Sequence, residues 1–169
     1  MLGRERQLAV KRQIQAASQT ISANQLAKTL RVSRQTIVGD VALLRASGEQ
    51  IESTAQGYRY QTMRRHRRVI VVHHQAAEVE TELLSLIDAG VSVQDVQVDH
   101  PLYGLLKGEL ALYTRADVDA FLANYHQRQG QLLSSLTNGL HLHTVGFDHE
   151  TQFKTAQKQL ADLGILYQG

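Results

Sequence analysis

Apolar residues recur along the first third of the chain at helical intervals. In residues 5–18, ERQLAVKRQIQAAS, Leu8, Ile14 and the alanines form a 3.6-type stripe. Ile21-Ser22 sets an apolar residue before a capping serine, ahead of ANQLAKTL with Leu26, Ala27 and Leu30 on one side. Arg31-Val32 makes a tight connection. Ser33 then caps RQTIVGDVALLRASG, in which Ile37, Val41 and Leu44 recur at i, i+4 and i+7 and Gly48 closes the helix. QIESTAQGYRYQ, residues 50–61, reads as a hairpin turning near Ala55-Gln56-Gly57.

After MRRHRR the pattern alternates between strand and helix periods. VIVV (69–72) predicts an apolar strand, and EVETELLSLIDAG a helix with Val79, Leu83, Leu86 and Ile87 inward, ended by Gly90. DVQVDH (95–100) alternates as a strand into the chain's one proline, Pro101, which biases His100 to an extended backbone. GELALY (108–113) predicts another strand. Thr114 and Asp117 cap the helix ADVDAFLANYH. GLHLHTV is the fourth strand, HETQFKTAQKQLADLG a helix, and ILY a closing strand. The expected class is α+β: a winged three-helix head, residues 1–63, a basic linker, 64–68, and an α/β sandwich, 69–169, with helices covering a mixed sheet.

Charge separates the two halves further. The net charge of +2 conceals nine Lys/Arg against four Asp/Glu up to Thr62, four arginines in MRRHRR, and five Lys/Arg against twelve Asp/Glu beyond. A basic head on an acidic body predicts that the head alone meets a polyanion. The absence of cysteine excludes disulfides, thiolate nucleophiles and Cys-ligated metals. No apolar run approaches the ~20 residues of a bilayer span, and the N-terminal residues lack the apolar core of a signal peptide, so a cytoplasmic protein is expected.

Two short helices, a tight turn and a third helix with polar residues at its start form a helix-turn-helix. Its first turn offers Ser33, Arg34, Gln35 and Thr36 as donors, Arg34 suited to guanine and Gln35 to adenine. Lys28, Arg31 and Arg45 are expected on phosphates, and Arg59 on a wing lying against the backbone or minor groove. The segment from Ile21 to Tyr60 resembles the winged helix-turn-helix at the front of biotin-repressor-type regulators. The match lies in LA, VSRQTI, an Asp four residues after the Thr, LR, Gly and a terminal GY. It implies that Asp40 pairs with a nearby arginine rather than reading a base.

In GLHLHTVG, His141 and His143 stand two residues apart on a strand and project from one face. Two imidazoles from one strand make half a site for a borderline divalent ion, which a further histidine and a carboxylate complete. His74 follows the first strand of the body. Glu82 and Glu80 border opposite edges of the next helix's apolar face, and spacing does not choose between them. His100 ends the strand before Pro101.

HHQAAEVETELLSLIDAG, VQVDHPLYG and LTNGLHLHT resemble the three signatures of the three-histidine (3H) domain. That domain follows this helix-turn-helix type in nicotinate-responsive bacterial repressors of NAD biosynthesis and niacin uptake. The resemblance implies one divalent transition metal per subunit, nickel, zinc or similar, on His74, Glu82, His141 and His143. The pair His73-His74 leaves the first ligand open, the eight-residue step to Glu82 favouring His74. It also implies His100 near the pocket and nicotinate, or a related pyridine, as corepressor. His100 or Arg115 is expected at the far end of that ligand, with nothing in the sequence choosing. A homodimer on double-stranded operator DNA follows from helix-turn-helix habit. A pure metal sensor and a metalloenzyme fusion are the alternatives. The enzyme is disfavoured, because no G-x-G-x-x-G or Walker A loop occurs and four protein ligands leave little room for an activated water.

Overall fold

The computed structural model describes residues 3–169, and the chain divides into two compact units that part between Thr62 and Met63. The first unit holds α1 (Gly3–Ala16), α2 (Ala23–Leu30), α3 (Arg34–Ala46) and the hairpin β1 (Ile51–Thr54) and β2 (Gly57–Tyr60). Ser22 caps α2 in a reciprocal capping box with Gln25, and Ser33 caps α3 by accepting the Thr36 N–H. Between them Arg31 ends α2 in the left-handed region, φ 56°, which gives the sharp turn. Val10, Ile14, Leu26, Ile37, Val41 and Ile51 close one core around the three helices and the hairpin root. Asp40, almost fully buried, takes Arg6 of α1 through both carboxylate oxygens at 2.6 and 3.1 Å.

The second unit runs β3 (His66–His73), a 3-10 turn (Ala76–Glu78), α4 (Val79–Asp88), β4 (Ser92–His100), β5 (Gly104–Leu112), α5 (Arg115–Arg128), a second 3-10 turn (Leu133–Thr137), β6 (Leu140–Phe147) and α6 (Glu150–Asp162). Its sheet has the order β3-β6-β4-β5, and every pairing is antiparallel. The expected mixed sheet is therefore an antiparallel one. Each helical crossover, β3-α4-β4 and β5-α5-β6, joins strands that run the same way. A third strand is inserted between each pair and opposes both neighbours. Ile70, Val72, Val145 and Phe147 meet Leu83, Leu86, Leu122 and Leu160 in one core under the helices.

Two further expectations change in detail. Residues 66–68 of the expected linker are the start of β3, and two of its four arginines are tied to carboxylates of the second unit. Arg64 pairs with Asp148 at 2.7 Å, and Arg68 grips Glu150 while lying over Phe153. The closing strand ILY shrinks to a single bridge, Val72 to Leu166, with the Tyr167 N–H on the Val71 carbonyl. Three residues at a free sheet edge are too few for a ladder.

Candidate functional site

Register places the body's histidines together. Val72 lies opposite His141 and Ile70 opposite His143, so both imidazoles share the helix-facing side of the sheet with two core residues. α4 passes over that side and lowers Glu82, fully buried, between them. Glu80 points to solvent, as does His73, whose Nε2 meets the Asn138 carbonyl. His74, one residue past the end of β3, turns inward instead.

Four groups now converge. Glu82 Oε2 lies 2.6 Å from His74 Nε2 and 3.6 Å from His141 Nε2, while Oε1 lies 3.0 Å from His143 Nε2. Ligand atoms of His74, Glu82 and His141 all fall within 4.8 Å of one another. The rings stand almost perpendicular, 75° between His74 and His141 and 89° between His141 and His143, so they meet edge to face.

The main chain orients each ring. His74 Nδ1 donates to the Gln75 carbonyl at 2.8 Å, His141 Nδ1 to Gly139 at 2.9 Å and His143 Nδ1 to Asp95 at 2.6 Å. A carbonyl only accepts, so each Nδ1 carries a proton and each ring turns its Nε2 toward Glu82, where a lone pair is presented once the Nε2 proton has left. The Asp95 carbonyl is available because the register of β4 slips between Val93 and Gln97, a bulge that withdraws it from the ladder. The bulge is itself pinned: the buried Asp95 carboxylate accepts from Gln97, the Thr144 N–H and Lys107. Gly139 has φ 93°, where an added Cβ would press on the His74 carbonyl.

Electrostatics follow from burial. Desolvation opposes charge on all three ionisable partners, but the neighbours prevail. The charge of His143 and hydrogen bonding from the neighbouring imidazoles hold the Glu82 carboxyl well below its ordinary range. Glu82 in turn raises His74 and His143 above theirs. Even so, Glu82 Oε1 and His143 Nε2 face each other without forming a hydrogen bond. A buried carboxylate oxygen and a buried ring nitrogen left without a hydrogen-bond partner are the environment a small cation satisfies.

The cluster forms one wall of a cavity of about 270 Å³. Val79, Leu83, Val96 and Leu110 make the wall around it apolar, and the half-buried Phe121 and Tyr125 line it from α5 with the exposed Arg128. Those three positions with Asn124 recur at i, i+3, i+4 and i+7, one face of the helix.

On the first unit, Lys28, Arg31, Arg34 and Gln35 are exposed and make no side-chain hydrogen bond or ion pair among the described residues. Ser33 and Thr36 share a hydroxyl contact of 2.8 Å at the cap, so their oxygens first serve the helix. Arg45 Nε donates to the Ile51 carbonyl at 2.7 Å and ties α3 to the wing, and Arg59 lies across from Glu52, 3.7 Å away. Both are in part structural, where the sequence reading expected DNA contacts.

Residues 67–169 match the family model of the 3H domain, and residues 6–59 that of an HTH domain. The chain belongs to the 3H-domain family of transcription repressors. It is 37% identical over 151 residues to the transcription repressor NadR of Bacillus subtilis, covering 86% of this chain and 84% of the relative. It is 32% identical over 163 residues to the probable transcription repressor NiaR of Thermotoga maritima, covering 96% and 93%. The class is thus regulator rather than enzyme. Among the described residues no helix is long and apolar enough to cross a membrane.

Two expected residues of the 3H domain lie away from its cavity. His100 ends β4 with Nδ1 accepting the Leu102 and Tyr103 N–H groups, and its ring stacks on Tyr103 at 5.1 Å. It caps the turn made by Pro101. Arg115 starts α5 and pairs with Asp88, about 20 Å of helix away from Arg128. α5 runs two residues past the His126 at which its apolar spacing ends, to Arg128, which with Arg115 makes the only arginines after residue 68.

Proposed function

We propose that this chain is a nicotinate-responsive repressor whose helix-turn-helix grips operator DNA and whose 3H domain holds one divalent transition metal. The observation that carries the reading is the convergence of three Nε2 atoms on the buried Glu82 carboxylate, on the wall of an apolar cavity, in a chain with a helix-turn-helix. His74, Glu82, His141 and His143 are the proposed ligands, in a donor set that suits nickel or zinc. A bound ion supplies positive charge at the end of the cavity and neutralises Glu82. Around it, the apolar walls take an aromatic ring, and the carbonyls of Gln75, Gly139 and Asp95 keep the imidazoles from turning away.

In the head, Arg34 and Gln35 are proposed to read base edges, with the Ser33 cap and Thr36 setting the helix start against phosphate. Lys28 and Arg31 neutralise backbone charge, joined by Arg45 and Arg59 where their internal bonds leave donors over. Two copies on one operator need recognition helices about 34–36 Å apart. Ligand in the cavity acts as corepressor only by binding the arrangement that fits this spacing more tightly than the other. The cavity favours this reading over a metal sensor, which needs no room for an organic ligand.

Calorimetry on the full chain tests it. Nickel or zinc should bind at one ion per chain to the wild type and at least about a hundredfold more weakly to His141→Ala. Nicotinate should bind the metal-loaded form. Undiminished metal binding in the variant removes the proposed centre; a loaded protein that ignores nicotinate removes the corepressor.

A further inference from the structure

The cavity is apolar along its walls and has charge at two places only. Glu82 with its histidines lies in the wall formed by α4, β3 and β6, and Arg128 stands on the last turn of α5. Arg128 is the one lysine or arginine among the lining residues, and it makes no ion pair or hydrogen bond among the described residues. Arg64, Arg68 and Arg115 of this unit are each paired with a carboxylate, and none of its other arginines lines the cavity. The helical face that carries Arg128 grades from Phe121 through Asn124 and Tyr125 to the guanidinium, from ring-contacting surface to cation.

We propose that Arg128 is the anion anchor of the cavity, selecting a flat ring ligand that bears a carboxylate and turning its other edge toward Glu82 and the histidines. The inference rests on the corepressor reading and adds the residue that tells acid from amide. A guanidinium meets a carboxylate with two parallel charge-assisted hydrogen bonds, whereas a neutral carboxamide offers one acceptor and two competing donors. At about 270 Å³ the cavity takes one small ring compound rather than a nucleotide. A cation on a last helical turn also favours the helix dipole without any ligand, so the test separates the two roles.

Nicotinate and nicotinamide are titrated by calorimetry into the metal-loaded full chain as wild type, Arg128→Gln and Arg128→Lys, with melting temperatures alongside. The wild type should prefer nicotinate by about 10- to 100-fold. Arg128→Gln should lose that preference, with nicotinamide affinity held within about twofold, and Arg128→Lys should recover part of it. Arg128→Gln that binds nicotinate as the wild type does, with a lowered melting temperature alone, makes Arg128 a dipole partner and overturns the proposal. Equal loss of acid and amide overturns it too, because the side chain then shapes the cavity without reading charge. A wild type that binds neither compound defeats the corepressor reading itself.

Discussion

Gly139 shows how much a single residue of the site carries. Its carbonyl accepts from His141 Nδ1 at 2.9 Å and from the His74 N–H at 3.3 Å, so one peptide unit sets two of the proposed ligands. Gly139→Ala adds a Cβ where φ is 93° and the His74 backbone is already in contact. The strain should cost about 1–3 kcal/mol, and metal affinity should drop at least about tenfold, read by melting and by metal titration. Protons and metal compete for the same atoms. Without metal, His74 and His143 hold protons above the ordinary 6.5, and Glu82 stays ionised well below 4.5. Stabilisation from the two histidines is fully present below about pH 6.5 and is lost as pH rises through their raised values. That from Glu82 is present above about pH 4.5 and is lost as pH falls through its lowered value. Metal-free protein should thus melt lower at about pH 9 than at about pH 6, whereas metal affinity should climb over the same range as those protons leave. Melting curves of the two forms that move in parallel with pH would contradict this.

Among the elements, α3 separates reading from structure along its length. Its first turn exposes Arg34 and Gln35, and its last turn spends Arg45 on the wing. Gln35→Ala should relax preference at one base pair by about 1–3 kcal/mol. Lys28→Ala, on the preceding helix, should weaken binding to all sequences and reduce the salt slope by about one. Binding measured on operator and scrambled duplexes at several salt concentrations distinguishes them; identical behaviour of both variants would take α3 out of the groove. The helices and the wing were legible in the chain because caps and apolar spacing are local: Ser22, Ser33 and Thr114 mark starts that the structure keeps. His141 and His143 were legible for the same reason, since period two fixes a shared face. What local pattern does not carry is the order of strands, the bulge in β4 that frees the Asp95 carbonyl, and the last turn of α5. Each depends on which segment packs alongside, so the sheet is antiparallel rather than mixed, residues 66–68 belong to a strand, and His100 and Arg115 lie away from the cavity.

At the scale of the molecule, the chain joins a basic unit that exposes Lys28, Arg31, Arg34 and Gln35 at its helix-turn-helix to an acidic unit with an apolar cavity walled in part by the His/Glu cluster. The proposal that these are two ends of one switch asserts a coupling free energy between cavity and duplex, and such a coupling runs equally in both directions. Nicotinate that tightens operator binding must itself bind more tightly when operator is present. The direct measurement is the affinity of full-length protein for a labelled operator, by fluorescence anisotropy, with metal and nicotinate each present or absent. The account predicts operator affinity at least about tenfold higher when both are present, with chelation or His141→Ala abolishing the nicotinate effect. An operator affinity that nicotinate leaves unchanged in the metal-loaded wild type would contradict it.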